Sequence, residues 1–148
     1  MDQMGAVSDG PPPVTSLGQT VDPDAPVRLE FFPVPKPVRV TFHTAELQAL
    51  CPAVAGIQPD IYQAEISYTA LTHAIESKSL KLWLVAFRDR RIFAEHLAIE
   101  LHDGVAAHAP AVGDVRVRLT QNVRGGIVTV IEHPAAASSP SGSCATSR

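Results

Sequence analysis

The apolar positions change period along the chain, and each change marks an element. Val38, Val40 and Phe42 alternate with Arg39, Thr41 and His43, the pattern of a half-buried strand. Tyr62, Ala64, Ile66 and Tyr68 alternate with Gln63, Glu65 and Ser67, which predicts a second strand. Leu80, Trp83, Leu84 and Phe87 then fall at i, i+3, i+4 and i+7, so one face of a helix is apolar. Phe93, Leu97, Leu101 and Val105 continue at fourfold spacing in a second helix, expected to stop near Gly104. Alternation returns at Val115, Val117 and Leu119, and Ile127 to Ile131 is a β-branched run after Gly125-Gly126. A short helical stretch is expected over Thr44 to Leu50. The main order is strand, strand, helix, helix, strand, strand. An α+β unit, an antiparallel four-stranded sheet with two helices on one face, buries both apolar stripes. Such a sheet leaves two edges open, which an oligomer commonly hides.

Proline distribution sets the boundaries. Eight of the 13 prolines precede residue 40, and residues 1–26 are polar and without periodicity, which predicts an irregular arm. Residues 27–37 are expected to pack across the fold as an extended, proline-studded segment. Residues 135–148 are rich in Ser and Ala and predict a disordered tail, leaving 27–134 as one domain. The full length, 148 residues, suits a single domain.

Composition narrows the function. With 45% hydrophobic and 18% charged residues a packed core is expected. A formal net charge of -3 argues against a protein built to grip nucleic-acid backbone. No apolar run reaches the roughly 18 residues of a membrane span, and no signal peptide is visible, so a cytoplasmic location is expected. Of the two cysteines, Cys144 lies in the Ser/Ala-rich tail, which leaves Cys51 as a lone thiol in ordered sequence. The six histidines form no ligand-spaced motif, so no metal is expected.

Four groups of residues could carry chemistry. Cys51, before the chain-turning Pro52, is either a small buried hydrophobe or a nucleophile. A nucleophile needs a group that manages its proton, and Asp60 could serve. The run Glu76-Ser77-Lys78-Ser79-Leu80-Lys81-Leu82-Trp83 reads as a helix start, with Ser77 or Ser79 as cap. Two lysines in a first turn run against the helix dipole, whereas lysines, hydroxyls and free backbone N–H groups together suit a phosphate. Arg124-Gly125-Gly126 is either a hairpin turn or a guanidinium beside approachable backbone at the same anion site. Glu95 is either a solvated helix charge or an acceptor for the N–H edge of a guanine-like base, on which Phe93 could stack.

These segments occur together in a known order. Ser16-Leu17-Gly18, Leu29-Glu30, Leu50-Cys51-Pro52, Gln58-Pro59-Asp60, residues 76–83, Phe87-Arg88, Phe93-x-Glu95 and Arg124-Gly125-Gly126-Ile127 resemble the NADPH-dependent 7-cyano-7-deazaguanine reductases. These are the nitrile reductases of queuosine biosynthesis, a tRNA modification pathway, here of the short single-module type. The resemblance covers about 16–133. It implies the tunnelling fold, or T-fold, shared with GTP cyclohydrolase I, whose zinc-ligand residues this chain lacks. It further implies that Cys51 attacks the nitrile carbon to give a thioimide and that Asp60 moves the protons. Ile75, Glu76, Ser77, Phe93, Ala94 and Glu95 would lie at the deazaguanine, and Lys78, Ser79, Lys81, Arg124 and Gly125 at NADPH. It also implies a homo-oligomer of ring type, two stacked pentamers, with sites completed by neighbouring copies.

The chain departs from that family in two places. Residues 52–57 make the Cys51 to Gln58 interval two residues longer than usual, and Ala94 stands where the family has His. His96 is adjacent to Glu95 in sequence but points roughly 100° away from it around the helix, a poor replacement. Two alternatives follow: an amidine-forming transferase using the same thioimide, or a deazapurine-binding T-fold protein without turnover.

Overall fold

The computed structural model describes residues 27–135. The expectations for the arm at 1–26 and for the tail from 136 onward, Cys144 included, lie outside the described residues. The elements are β1 (Phe31–Pro33), β2 (Val38–Leu50), β3 (Pro59–Ala70), β4 (His73–Ile75), α1 (Ser77–Val85), α2 (Ala94–Ala106), β5 (Val112–Arg124) and β6 (Ile127–His133). The long strands form one antiparallel sheet in the order β2-β3-β5-β6. The expected two-strand, two-helix, two-strand order therefore holds, with β1 and β4 added as a small antiparallel pair. That pair is what the proline-studded 27–37 segment contributes, with Phe31 buried and its ring 4.2 Å from that of His108.

Strand alternation decides where the core lies. Along β3 the even positions Tyr62, Ala64, Ile66 and Tyr68 are buried, and in β5 Val115, Val117 and Leu119 match them. The odd positions Ile61 and Gln63 face outward. The helices cover the even face, with α2 on β5 and β6 through Leu97, Ala98, Leu101 and Val105, and α1 against β2. Each buried large apolar side chain contributes about 1.5–3 kcal/mol relative to exposure. Among the described residues no helix is long and apolar enough to cross a membrane.

The structure corrects three local expectations. Thr44 to Leu50 is not helical: β2 continues through it, with a β-bulge between Thr44 and Leu47. One extra residue moves the inward positions from Phe42 and Thr44 to Leu47 and Ala49, and that switch of parity resembles a helical period. The Thr44 hydroxyl accepts from the Glu46 N–H at 3.1 Å and supports the bulge. Second, α2 runs past Gly104 to Ala106. Gly104 is a point of close approach, since a Cβ there would sit 2.6 Å from the Trp83 ring. Third, α1 is capped neither by Ser77 nor by Ser79. The Glu76 carboxylate accepts from the Lys78 N–H at 2.9 Å and the Ser79 N–H at 2.7 Å. A negative cap at the positive end of the helix offsets the lysines of the first turn.

Candidate active site

Cys51 follows the last residue of β2, part-buried and with a free thiol. The ladder pairs Ala49 with Asp60 and Leu50 with Pro59, and the Cys51 N–H then donates to the Gln58 carbonyl at 3.0 Å. Residues 52–57 are thus looped out between positions that meet. Arg91 holds the loop: its Nη1 donates to the Cys51 and Val54 carbonyls, both at 3.1 Å, and its Nη2 to the Gly56 carbonyl at 2.7 Å. Gly56 has φ +91, a backbone region glycine enters without Cβ strain. Main-chain bonds from Leu50 to Arg90 and from Ile92 to Leu50 tie the same strand end to the segment that starts α2.

Asp60 is the second residue of β3, and it is only 5% exposed. Arg124, the last residue of β5, reaches it with Nη1 2.8 Å from Oδ1. Its Nη2 donates to the Pro59 carbonyl at 3.1 Å. With the Gln58 amide oriented oxygen-inward, that oxygen accepts from Nη2 at 2.6 Å and from Nη1 at 3.2 Å. One guanidinium thus grips all three residues of Gln58-Pro59-Asp60. Gly125 and Gly126 form the tight β5–β6 turn at φ +56 and +81, conformations a two-residue hairpin requires.

Tyr62, two residues along β3, is 0% exposed. Burial raises its pKa well above the ordinary tyrosine value, helped by the negative charges of Asp60, Cys51 and Glu95 and opposed by Arg124. Those influences draw together β2's end, β3, α2's first turn and β5. Glu95 is exposed in that turn, next to the buried Ala94, and Phe93 is the 49% exposed N-cap residue. His96 contacts the Phe93 ring edge-on at 6.1 Å.

The start of α1 divides into frame and surface. Ser79 is buried, donating to the Glu76 carbonyl at 2.7 Å and accepting from the Glu30 N–H at 2.9 Å. The Ile75 N–H donates to the Tyr68 hydroxyl at 2.8 Å, and the Glu76 N–H to the Glu30 carbonyl at 2.8 Å. Ser77 and Lys81 instead line a cavity of about 500 Å³ between β2 and α1, together with Arg88, Thr44 and Gln48. Its lining does not include Cys51, Asp60 or Glu95. Among the described residues one group, His102, Asp103 and His133, has the spacing to hold an ion, and it belongs to the other end of α2.

Arg91 and Tyr62 escape a reading of the sequence. Arg91 belongs to no motif, and Tyr62 shares the alternation of the core residues Ala64, Ile66 and Tyr68. Only the burial of a phenol two residues from Asp60 offers a signal in advance.

Comparison with known proteins shows the family. A family model described as QueF-like protein matches residues 59–139. An NADPH-dependent 7-cyano-7-deazaguanine reductase of Syntrophus aciditrophicus (strain SB) is 40% identical over 123 residues, covering 80% of this chain and 84% of the relative. One from Magnetococcus marinus is 37% identical over 122 residues, covering 78% and 90%. Among solved structures, the apo form of the archaeosine synthase QueF-Like superposes with a TM-score of 0.54 at 21% identity, covering 67% of this chain and 92% of that one. That likeness shows the T-fold alone. Identity at this level along most of both chains, with the family match running from the start of β3 past the end of β6, has one meaning: the chain belongs to the QueF-like family of NADPH-dependent 7-cyano-7-deazaguanine reductases.

Proposed function

We propose that the chain reduces the nitrile of 7-cyano-7-deazaguanine to the aminomethyl group, in the cytoplasm and as a step towards queuosine. The observation that carries this is the closure of the Cys51 loop. The bond from the Cys51 N–H to the Gln58 carbonyl returns Asp60 to the strand beside the nucleophile despite the added residues.

A nitrile accepts hydride poorly, and addition of a thiol turns it into a C=N that accepts it well. In this reading Cys51 forms the C–S bond, and its proton passes through Asp60 to the nitrile nitrogen. Glu95 and the Ile75 to Ser77 stretch orient the base, with Phe93 as the stacking surface and Ala94 leaving room beside it. The loss of the thiolate after the first reduction regenerates Cys51, with Asp60 again supplying the proton.

NADPH, when bound, supplies one hydride for each of the two reductions. The cavity beside α1 fits such a group, because Lys81 and Arg88 bring cations, and Ser77 a hydroxyl, to its lining. Lys78 adds a cation from the same turn, and Ser79 acts there by fixing the helix start. Arg124 and Gly125 join the cofactor site only from another part of the fold, at Asp60 and the β5–β6 turn. A cofactor cavity lined without Cys51 supports a ring-shaped homo-oligomer, two stacked pentamers, in which neighbouring copies complete each site. The open edges of β2 and β6, with Ile127, Val128 and Val130 exposed, support it too.

The test is absorbance at the NADPH band during incubation with 7-cyano-7-deazaguanine, with intact mass measured in parallel. Consumption of two NADPH per substrate, and a mass adduct lost in Cys51→Ala, are expected. An adduct that forms while NADPH is untouched would favour an amidine-forming route, and no adduct at all a binding protein.

A further inference from the structure

Tyr62 is the one side chain of the Cys51–Asp60 group to which the reaction as written gives no task. Its hydroxyl is wholly buried and has no hydrogen-bond partner among the described residues. Leaving a buried hydroxyl unpartnered costs about 1–3 kcal/mol, so native proteins rarely keep one without a use. A second buried oxygen on the same strand face is in the same condition. Asp60 Oδ1 lies 2.8 Å from Arg124 Nη1, yet that contact is an ion pair without hydrogen-bond alignment. The guanidinium directs its N–H groups to the Gln58 and Pro59 oxygens instead. An unused donor and an unused acceptor therefore sit at positions i+2 and i of β3, which share a face.

We propose that Tyr62 is a positioning residue for Asp60: its hydroxyl is the donor for the open Oδ1 acceptor, directly or through one water. Arg124 then balances the charge of the carboxylate while Tyr62 satisfies its lone pair, and the two hold it in place to take the Cys51 proton. The charged and titratable groups around the hydroxyl are Cys51 beyond β2, Asp60 on β3, Glu95 on α2 and Arg124 on β5. Three of them repel a phenolate, which together with burial keeps Tyr62 protonated as a donor and never a base. In the step itself the thiol S–H breaks, the proton goes to Asp60 and Tyr62 keeps its own. The inference deepens the proposed function, because it rests on Asp60 handling the Cys51 proton.

The test reads that proton without the nitrile substrate. The rate of Cys51 alkylation by iodoacetamide, followed on its peptide by mass spectrometry, is measured against pH for wild type, Tyr62→Phe, Asp60→Asn and the double variant. Tyr62→Phe keeps the ring, so the fold is expected to be kept, with Tm lowered only by the one lost hydrogen bond. The alkylation profile is expected to move up, by at most about one pH unit, because a carboxylate stripped of that donor repels the Cys51 thiolate more strongly. In the Asp60→Asn background the same change is expected to do nothing further. A profile for Tyr62→Phe that overlies wild type overturns the inference. So does a shift of equal size with and without Asp60, or a fall in Tm with no shift. Failure of wild type to form the nitrile adduct would instead count against the proposed function, and the alkylation profiles would still decide the role of Tyr62.

Discussion

Removing the Arg91 side chain should slow Cys51 without unfolding the protein. Its guanidinium donates to three main-chain oxygens, those of Cys51, Val54 and Gly56, and among the described residues no other side chain hydrogen-bonds the loop. Arg91 is exposed, so each bond is given about 0.5 kcal/mol, the low end of the net range. Three such bonds sum to about 1.5 kcal/mol, on the order of tenfold in the population of the ordered loop. The strand end beneath it is held by main-chain bonds that Arg91→Ala leaves in place, so the loosening is local. Intact-mass kinetics of adduct formation with 7-cyano-7-deazaguanine, without NADPH, should therefore fall about tenfold in Arg91→Ala while Tm changes little. Arg91→Lys should fall between, because one ammonium cannot span three carbonyls. An unchanged rate in Arg91→Ala would refute the reasoning and mean that the Cys51 to Gln58 bond alone orders the nucleophile.

Gly104→Ala should destabilise the fold by about 1–2 kcal/mol although alanine is the better helix former, because the new Cβ would lie 2.6 Å from the Trp83 ring. Thermal unfolding followed by the fluorescence of this single tryptophan checks it, and a higher Tm would contradict it. Burial lowers the pKa of His108 below its ordinary value, so the folded state binds this proton less readily than the unfolded chain. Its contribution to stability is present above about pH 6.5 and is lost as pH falls through the folded value. Tm should thus drop on acidification, and His108→Phe, which keeps a ring against Phe31, should flatten that drop. Lys81→Glu should weaken NADPH binding about tenfold, read by cofactor fluorescence, and leave adduct formation at Cys51 within about twofold.

Local periodicity alone determined much of this protein. Strands and helices announce themselves through spacings of two and of three to four residues, which depend only on near neighbours, so β3, β5, β6 and both helices were legible. The bulge in β2 was not, because one inserted residue breaks the period that identifies a strand and its position is set by pairing with β3. Gly104 signals an end by composition, and only the packing of Trp83 from the other helix makes it a contact. The same division runs through the site. Cys51 and Asp60 stand out as chemical types in short motifs. That Arg124 would cross the sheet to Asp60, that Arg91 would brace the Cys51 loop, and that Tyr62 would be a hydroxyl among titratable groups are facts of tertiary structure. Each joins residues on different strands, helices or loops, and a charge or hydroxyl acquires its role from the desolvated neighbours folding brings to it, which no local pattern encodes.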